Sequence, residues 1–150
     1  MADDDLIKLY SKRILALAAS LSHTDRLADP DGSAKERSPL CGSVVQVDIA
    51  LGPDGRIAKY GQDVKACALG QASASAIAAV IEGKSREEVQ AGRDALRAML
   101  KTDAPAPEAP WDALEALLPA KDYKNRHASI MLTFEAILAA FEDAREKTSA

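Results

Sequence analysis

Residues 43–64, SVVQVDIALGPDGRIAKYGQDV, contain two short extended segments on either side of a Pro-Asp-Gly turn. In the first segment every second residue is Val or Ile, which is the period of a half-buried strand. The GPDG sequence at 52–55 is typical of a hairpin turn. We therefore predict antiparallel strands at about 44–50 and 57–63, and this hairpin is the centre of the predicted fold.

Helical patterns dominate the rest of the chain. Predicted helices run from residue 4 to about 22, from Cys67 to Gly83, from a Ser85-Arg-Glu-Glu88 capping box to about Leu100, from Trp111 to Leu118, and from about Lys124 onward. The segment LADPDGSAKERSP at 27–39 is rich in turn residues and is predicted to be a loop. Helices around a small antiparallel sheet indicate an α+β fold.

Length and charge limit the possible classes of function. A chain of 150 residues is predicted to form a single domain over 1–150, with flexible ends at about 1–3 and 145–150. A net charge of −4 argues against nucleic acid or a membrane as the partner, and no apolar run approaches the length of a membrane span. The acidic start MADDD is unlike a secretory signal, so a cytoplasmic location is expected.

The two cysteines of the chain are predicted to lie near each other. Cys41 precedes the first strand of the hairpin, and Cys67 follows the second strand and begins a helix. Because a hairpin returns on itself, the segments before 44 and after 63 should meet at one end of the sheet. A helix N-terminus favours a thiolate, and paired thiolates suit a soft metal, an iron–sulfur cluster or sulfur transfer. The alternative is that both are unreactive, buried cysteines.

Three segments resemble the NifU/IscU/SufU-type iron–sulfur cluster assembly scaffolds. SPLCGS resembles the Asn-Pro-x-Cys-Gly-Asp signature of that family, and KACALGQASAS resembles its second cysteine signature. Residues 125–137 resemble the segment that carries its third cysteine. The resemblance spans roughly residues 5 to 141. It implies a three-stranded antiparallel sheet packed with about five helices, and three cysteines and an aspartate gathered at one end.

The chain departs from this family pattern at two positions. The resemblance assigns the first two cysteines to Cys41 and Cys67, but Ser43 stands where the family has Asp, and Ser129 where it has the third Cys. A hydroxyl is a poor ligand because it rarely ionises near neutral pH. His127, two residues before Ser129, is therefore predicted to complete a metal site with the two thiolates. The alternative is that His127 caps the helix or hydrogen-bonds to a nearby carboxylate or carbonyl.

Four other residues near the predicted site have weaker predicted roles. Ser43, Ser129 and Asp63 are weaker ligand candidates, although a solvated strand charge is the simpler interpretation of Asp63. Arg126 is expected either to steady a thiolate by its charge or to be a solvated residue at the start of a helix.

The resemblance implies a scaffold rather than an enzyme. Such a protein accepts sulfur from a cysteine desulfurase, binds iron or a labile iron–sulfur cluster, and transfers the cluster to recipient apo-proteins. Zinc is a possible alternative metal, and a homodimer is a possible way to supply missing ligands. The alternative function, favoured by the two serines, is a zinc-binding or regulatory interaction module that does not assemble clusters. A thiol-based sulfur-transfer enzyme is a third, weaker option.

Overall fold

The computed structural model describes residues 11–39 and 42–149. In chain order its elements are α1 (Lys12–Ala19), β1 (Gly32–Arg37), β2 (Val44–Leu51), β3 (Ile57–Lys65), α2 (Ala68–Ala78), α3 (Arg86–Lys101), 3₁₀ helices at Asp112–Asp122 and Lys124–Arg126, and α4 (His127–Ser149). The predicted α+β fold, with a three-stranded antiparallel sheet and about five helices, is confirmed. In the described part of the chain no helix has the length and apolar character needed to cross a bilayer.

The predicted hairpin is formed by β2 and β3. The two strands pair antiparallel from Val44 opposite Lys65 to Leu51 opposite Ile57, with an irregularity at Ala50/Leu51. The alternating Val45, Val47 and Ile49 side chains are buried, because that face of the sheet packs against α4. The hairpin therefore places the start of β2 beside the end of β3.

The third strand, β1, corrects the predicted loop at 27–39. Residues 32–37 pair antiparallel with β2, from Gly32 opposite Ile49 to Arg37 opposite Val44. Its sequence GSAKER lacks apolar alternation because β1 is an edge strand, where charged residues are common and backbone hydrogen bonds supply the pairing. A Cβ on Gly32 would clash with the Ala140 carbonyl oxygen, so glycine lets α4 cross close to the strand.

Several predicted helices differ from the structure, and the helix predicted at 111–118 is a 3₁₀ helix that runs to Asp122. α1 begins at Lys12, with Ser11 as its N-cap, and residues 4–10 of the predicted helix lie outside the described residues. α2 ends at Ala78 rather than Gly83, since the chain turns there and the Gly83 N–H donates to the Ile57 carbonyl. The last α-helix starts at His127, after a 3₁₀ turn.

The core lies where α4 meets the sheet, α2 and α3. Nine of the eleven residues of α2 are buried, and most are Ala, Ser or Gly, so neighbouring backbones approach closely. The Ser73 hydroxyl donates to the Ile130 carbonyl at 2.7 Å and ties α2 to α4. Trp111 is buried edge-on against Phe134, with ring centroids 5.2 Å apart. The hydrogen bond of Ser73 thereby holds the first turn of α4 against α2.

Candidate functional site

The candidate site lies where β3 passes into α2. β3 ends at Lys65, and Cys67 is the N-cap residue of α2 with an extended backbone conformation. The Cys67 side chain is half-buried and is a free thiol. Since the first N–H groups of a helix have no partner within the helix, they favour negative charge at this position.

Two buried serines, Ser129 and Ser43, form a hydrogen-bonded row that leads from the Cys67 thiol into the protein interior. The Ser129 Oγ lies 3.7 Å from the Cys67 Sγ and 2.9 Å from the Ser43 Oγ. Ser43 and Ser129 are each 2% exposed. The three side chains come from the start of α2, the start of β2 and the first turn of α4, so only the folded chain brings them together.

The surroundings of Cys67 favour its thiolate. Burial acts to raise the pKa of Cys67, but the backbone N–H groups of Gly70 and Leu69 and the Ser129 hydroxyl outweigh it. The positive charge of Arg126 acts in the same direction. The pKa of the thiol therefore lies below its ordinary value, as is usual for a reactive cysteine at a helix N-terminus. This supports the predicted thiolate-steadying role of Arg126.

Gly70 is part of this site, although it is not among the site residues predicted from the sequence. A Cβ at residue 70 would lie 2.7 Å from the Ser129 Oγ and 2.8 Å from the Ala66 Cβ. Glycine therefore lets the first turn of α4 approach the first turn of α2. The signal in the sequence is a glycine three residues after the cysteine within a small-residue helix, which by itself is not specific.

The predicted position of Cys41 lies outside the described residues. Among the described residues on either side of it, the Ser38 N–H donates to the Ser43 carbonyl at 2.8 Å and the Gly42 N–H donates to the Ser38 carbonyl at 3.0 Å. Gly42 has a φ of 68°, a left-handed conformation that favours glycine. The structure thus explains the glycine at position 42, and the proximity of the two thiols stays a prediction.

The structure does not bring His127 to this cluster. The His127 Nε2 lies 3.0 Å from the carbonyl oxygens of both Ala120 and Lys121, and its Nδ1 lies 3.5 Å from the Lys101 Nζ. Two residues correspond to about 200° around an α-helix, so His127 and Ser129 lie on opposite faces of α4. The expectation that the imidazole lies beside the thiol is corrected, because the ring instead fixes the preceding 3₁₀ segment.

The acidic residues on the two strands of the hairpin, Asp48 and Asp63, also lie apart from the thiol. Asp63 is exposed and lines a shallow cavity on the open face of the sheet with Lys35, Arg37 and Lys65. This agrees with the solvated-charge interpretation of Asp63. Asp48 is fully buried and has a structural role.

Asp48 joins the sheet to the segment that follows α1. Its carboxylate accepts hydrogen bonds from Arg26 at 2.6 and 3.2 Å, from the Leu27 N–H at 3.1 Å and from the Ser33 hydroxyl at 2.6 Å. Burial acts to raise the pKa of Asp48, but these hydrogen bonds outweigh burial and hold it below its ordinary value. The charge is therefore satisfied within the fold.

The donor atoms at this site do not fit an iron–sulfur cluster held by the family's usual ligands. Among the described residues no group of three or more His, Cys, Asp or Glu side chains is placed to hold a metal. At the positions of the aspartate and the third cysteine the chain has two hydroxyls, which are hydrogen-bonded to each other. Hydroxyls are weak ligands at neutral pH, so the described site has one good ligand, Cys67.

Comparisons with known proteins identify the family. The family model of the NifU-like N terminal domain matches residues 9–148. The chain therefore belongs to the NifU-like N-terminal domain family, and the resemblance seen in the sequence is confirmed. No curated protein matches the chain.

Solved structures agree with this assignment. The chain is 41% identical to a nitrogen-fixing NifU-like protein (N-terminal) from Brucella abortus, with a TM-score of 0.91 over 95% of this chain and 99% of that one. An iron–sulfur cluster assembly scaffold protein for the SUF system from Fervidobacterium islandicum AW-1 is 17% identical, with a TM-score of 0.80 over 89% and 96% of the two chains. At that identity the second likeness shows the fold alone. Membership of this family indicates a role in iron–sulfur cluster assembly.

Proposed function

We propose that this protein is a sulfur acceptor in iron–sulfur cluster assembly and that Cys67 is the accepting residue. The observation that carries the proposal is the half-buried Cys67 thiol at the start of α2, with the Ser129 hydroxyl 3.7 Å from its sulfur. The donor is a protein persulfide of the kind that a cysteine desulfurase forms. The protein is a carrier in this role and not a turnover enzyme.

The proposed step is a thiol–persulfide exchange. The Cys67 thiolate attacks the terminal, sulfane sulfur of the donor persulfide, and a sulfur–sulfur bond forms at Cys67. The bond between the sulfane sulfur and the donor cysteine breaks, and the donor leaves as a thiolate. No electrons are gained or lost overall, so the exchange needs no added oxidant or reductant. Because the thiolate is the nucleophile, a lowered thiol pKa raises the reactive fraction near neutral pH.

The two serines support the proposal through the direction of their hydrogen bonds. A thiolate can only accept, so the Ser129 O–H donates to the Cys67 sulfur. The Ser129 oxygen is then free to accept the Ser43 O–H at 2.9 Å. These two hydrogen bonds orient one lone pair of the Cys67 sulfur inward. They leave the exposed side of Cys67 for the donor persulfide. Such an arrangement suits one-thiol chemistry better than metal ligation.

Persulfide transfer tests the proposal directly. The protein is mixed with a persulfide-charged cysteine desulfurase, and the intact mass is measured for a gain of one sulfur atom. We expect Cys41→Ser to keep the gain and Cys67→Ser to lose it. Unchanged uptake by Cys67→Ser, or loss only in Cys41→Ser, would assign the chemistry to the other thiol. Circular dichroism of both variants separates a chemical effect from unfolding.

A second candidate function is an interaction module that does not assemble clusters. It is favoured by the mutual hydrogen bond of Ser43 and Ser129, which occupies the positions of two family ligands. Anaerobic reconstitution with iron and sulfide distinguishes the two roles. Visible cluster absorbance in the wild type supports cluster binding with ligands from outside the described residues, and activation of an added apo-protein would then test transfer. A colourless protein that still accepts sulfur supports the acceptor role alone. A colourless protein with no sulfur uptake supports the interaction module.

Restoring the family ligands offers a gain-of-function control. Ser129→Cys, alone and combined with Ser43→Asp, returns the missing thiol and carboxylate to the positions beside Cys67. If the two serines are the reason that the site does not fit a cluster, visible absorbance after reconstitution should appear or increase in these variants. A matched Ser33→Cys variant adds a thiol on β1, at a residue that contacts Asp48, and should leave the absorbance unchanged.

A further inference from the structure

A basic cleft lies between α3 and the start of α4, on the side of α4 that His127 faces. Arg93, Arg97 and Lys101 recur at intervals of four along α3, so they form one row on that helix. Lys124 faces them from the 3₁₀ turn before α4. These side chains line a cavity of about 340 Å³.

A second cavity continues this cleft. It has a volume of about 440 Å³ and shares Lys101, Lys124 and His127 with the first. Lys121, which forms an ion pair with Asp103 at 2.7 Å, and Asp122 also line it, and together these two add no net positive charge. Both volumes fall in the range of pockets that hold small ligands. The two cavities together make a concave surface large enough for a compact molecule.

The cleft concentrates positive charge on a protein that is negative overall. The first cavity is lined by four cationic side chains and one carboxylate, Glu135, whereas the whole chain carries a net charge of −4. Like charges at intervals of four on a helix repel each other. An anion between them would remove this repulsion, so the arrangement favours an anionic occupant.

Three of these cations have no anionic partner in the described structure. Arg93 is held by Glu135, with Nε and Oε1 2.8 Å apart. Arg97, Lys101 and Lys124 make no ion pair with any carboxylate of the residues that the structure describes. Arg97 and Lys124 are exposed at the cleft and so remain available to a ligand.

His127 positions one of the three cations. Carbonyl oxygens only accept, so the Nε2 that lies beside the Ala120 and Lys121 carbonyls carries the ring proton. The Nδ1 lone pair then faces the Lys101 ammonium at 3.5 Å. This contact holds Lys101 at the junction of the two cavities without neutralising its charge. His127 is 3% exposed and so acts as a fixed support.

We propose that this cleft binds a compact, multiply charged oxyanion of the phosphate class, either free diphosphate or the phosphate groups of a nucleotide. Arg97 provides a planar fork for two oxygens, and Lys101 and Lys124 provide point charges from both walls. A ligand with a single carboxylate would neutralise only part of the positive charge of these three side chains. The concave shape favours a small ligand over a flat protein surface. The inference is independent of the chemistry of Cys67.

Titration with defined anions tests the proposal. Sodium diphosphate, ATP and adenosine are titrated into the full-length protein by calorimetry, and the His127 ring signals are followed by NMR as a local reporter. We expect binding of diphosphate and ATP, a shift of the His127 signals, and weakening as salt is raised. Similar affinity for both anions identifies free diphosphate as sufficient. Much tighter binding of ATP, with weak binding of adenosine, identifies a nucleotide.

Matched charge variants complete the test. Arg97→Gln with Lys124→Gln should weaken diphosphate binding by about tenfold or more, because it removes two charge-assisted contacts. Lys59→Gln with Arg145→Gln removes the same charge from exposed positions outside both cavities and should keep the affinity within about twofold. Equal loss in both pairs, or no anion binding at all, would overturn the proposal. Binding of poly-glutamate without diphosphate binding would overturn it in favour of an acidic protein partner.

Discussion

Substitution of Gly70 by alanine tests the close contact on which the candidate site depends. Gly70 lies in the first turn of α2, and a Cβ there would be 2.7 Å from the Ser129 Oγ and 2.8 Å from the Ala66 Cβ. Both distances are shorter than real contacts allow. The Ala66 methyl group is directly attached to the backbone, so it cannot turn aside. Either α4 moves outward or the start of α2 shifts.

The expected loss of stability follows from two opposing terms. Overpacking of this kind costs about 1–3 kcal/mol. Replacing glycine by alanine in a helix returns up to about 1 kcal/mol. Because both distances lie under 3.0 Å and the Ala66 methyl group cannot turn aside, the overpacking cost is about 2–3 kcal/mol. We therefore expect Gly70→Ala to lower the free energy of unfolding by about 1–2 kcal/mol. For a domain of this size that corresponds to roughly 2–8 °C in Tm.

The chemical consequence is specific to the thiol. Outward movement of Ser129 lengthens its 3.7 Å contact with the Cys67 sulfur and weakens one of the interactions that lower the pKa of Cys67. Alkylation of Cys67 by iodoacetamide near neutral pH should therefore slow in Gly70→Ala. The measurement uses a Cys41→Ser background, in which Cys67 is the only thiol.

Gly92→Ala is the matched control for this experiment. Its Cβ would lie 2.7 Å from two ring atoms of Trp111, so it should also destabilise the protein. It lies on α3, away from the thiol, so the alkylation rate should not change. If Gly70→Ala keeps the stability within about 0.5 kcal/mol and keeps the alkylation rate, the close approach of α2 and α4 is refuted. If both variants slow alkylation equally, the effect is general loosening.

Three further predictions concern Asp48, the pH dependence of Cys67 alkylation, and His127. Asp48→Ala leaves the Ser33 hydroxyl and the Leu27 N–H without their acceptor and should cost roughly 2–4 kcal/mol in urea unfolding. The pKa of Asp48 is lowered in the folded state. The ionised carboxylate therefore stabilises the fold above the ordinary carboxyl pKa, and this stabilisation is lost as the pH falls through the folded-state pKa. The Asp48→Ala variant should lack that part of the loss of stability in acid. Cys67 alkylation should reach half its maximal rate at a lower pH than that of a cysteine in an unfolded peptide, and a midpoint at or above the peptide value would contradict the lowered pKa. His127→Ala should lower Tm yet leave sulfur uptake intact, whereas loss of uptake in a folded variant would return His127 to the site.

Much of the fold could be predicted because its signals are local. The alternation in β2, the turn at 52–55 and the capping box at Ser85 each depend on residues a few positions apart, and each is present in the structure. β1 could not be predicted from its own residues, since an edge strand with charged side chains has no apolar period. Its pairing depends on β2 and on the crossing of α4 near Gly32.

The candidate site likewise has features that local sequence predicts and features that only tertiary packing decides. The sequence by itself determined that Cys67 begins a helix after a hairpin, because strand period, turn residues and helix period are properties of neighbouring residues. Only the tertiary structure decided which side chains surround that thiol. Ser129 and Ser43 reach it, and His127 does not, because the rotation of α4 about its own axis is set by packing against α2 and the sheet. A helix can present either face to its neighbours, and the choice depends on the whole core rather than on the segment that carries the residues.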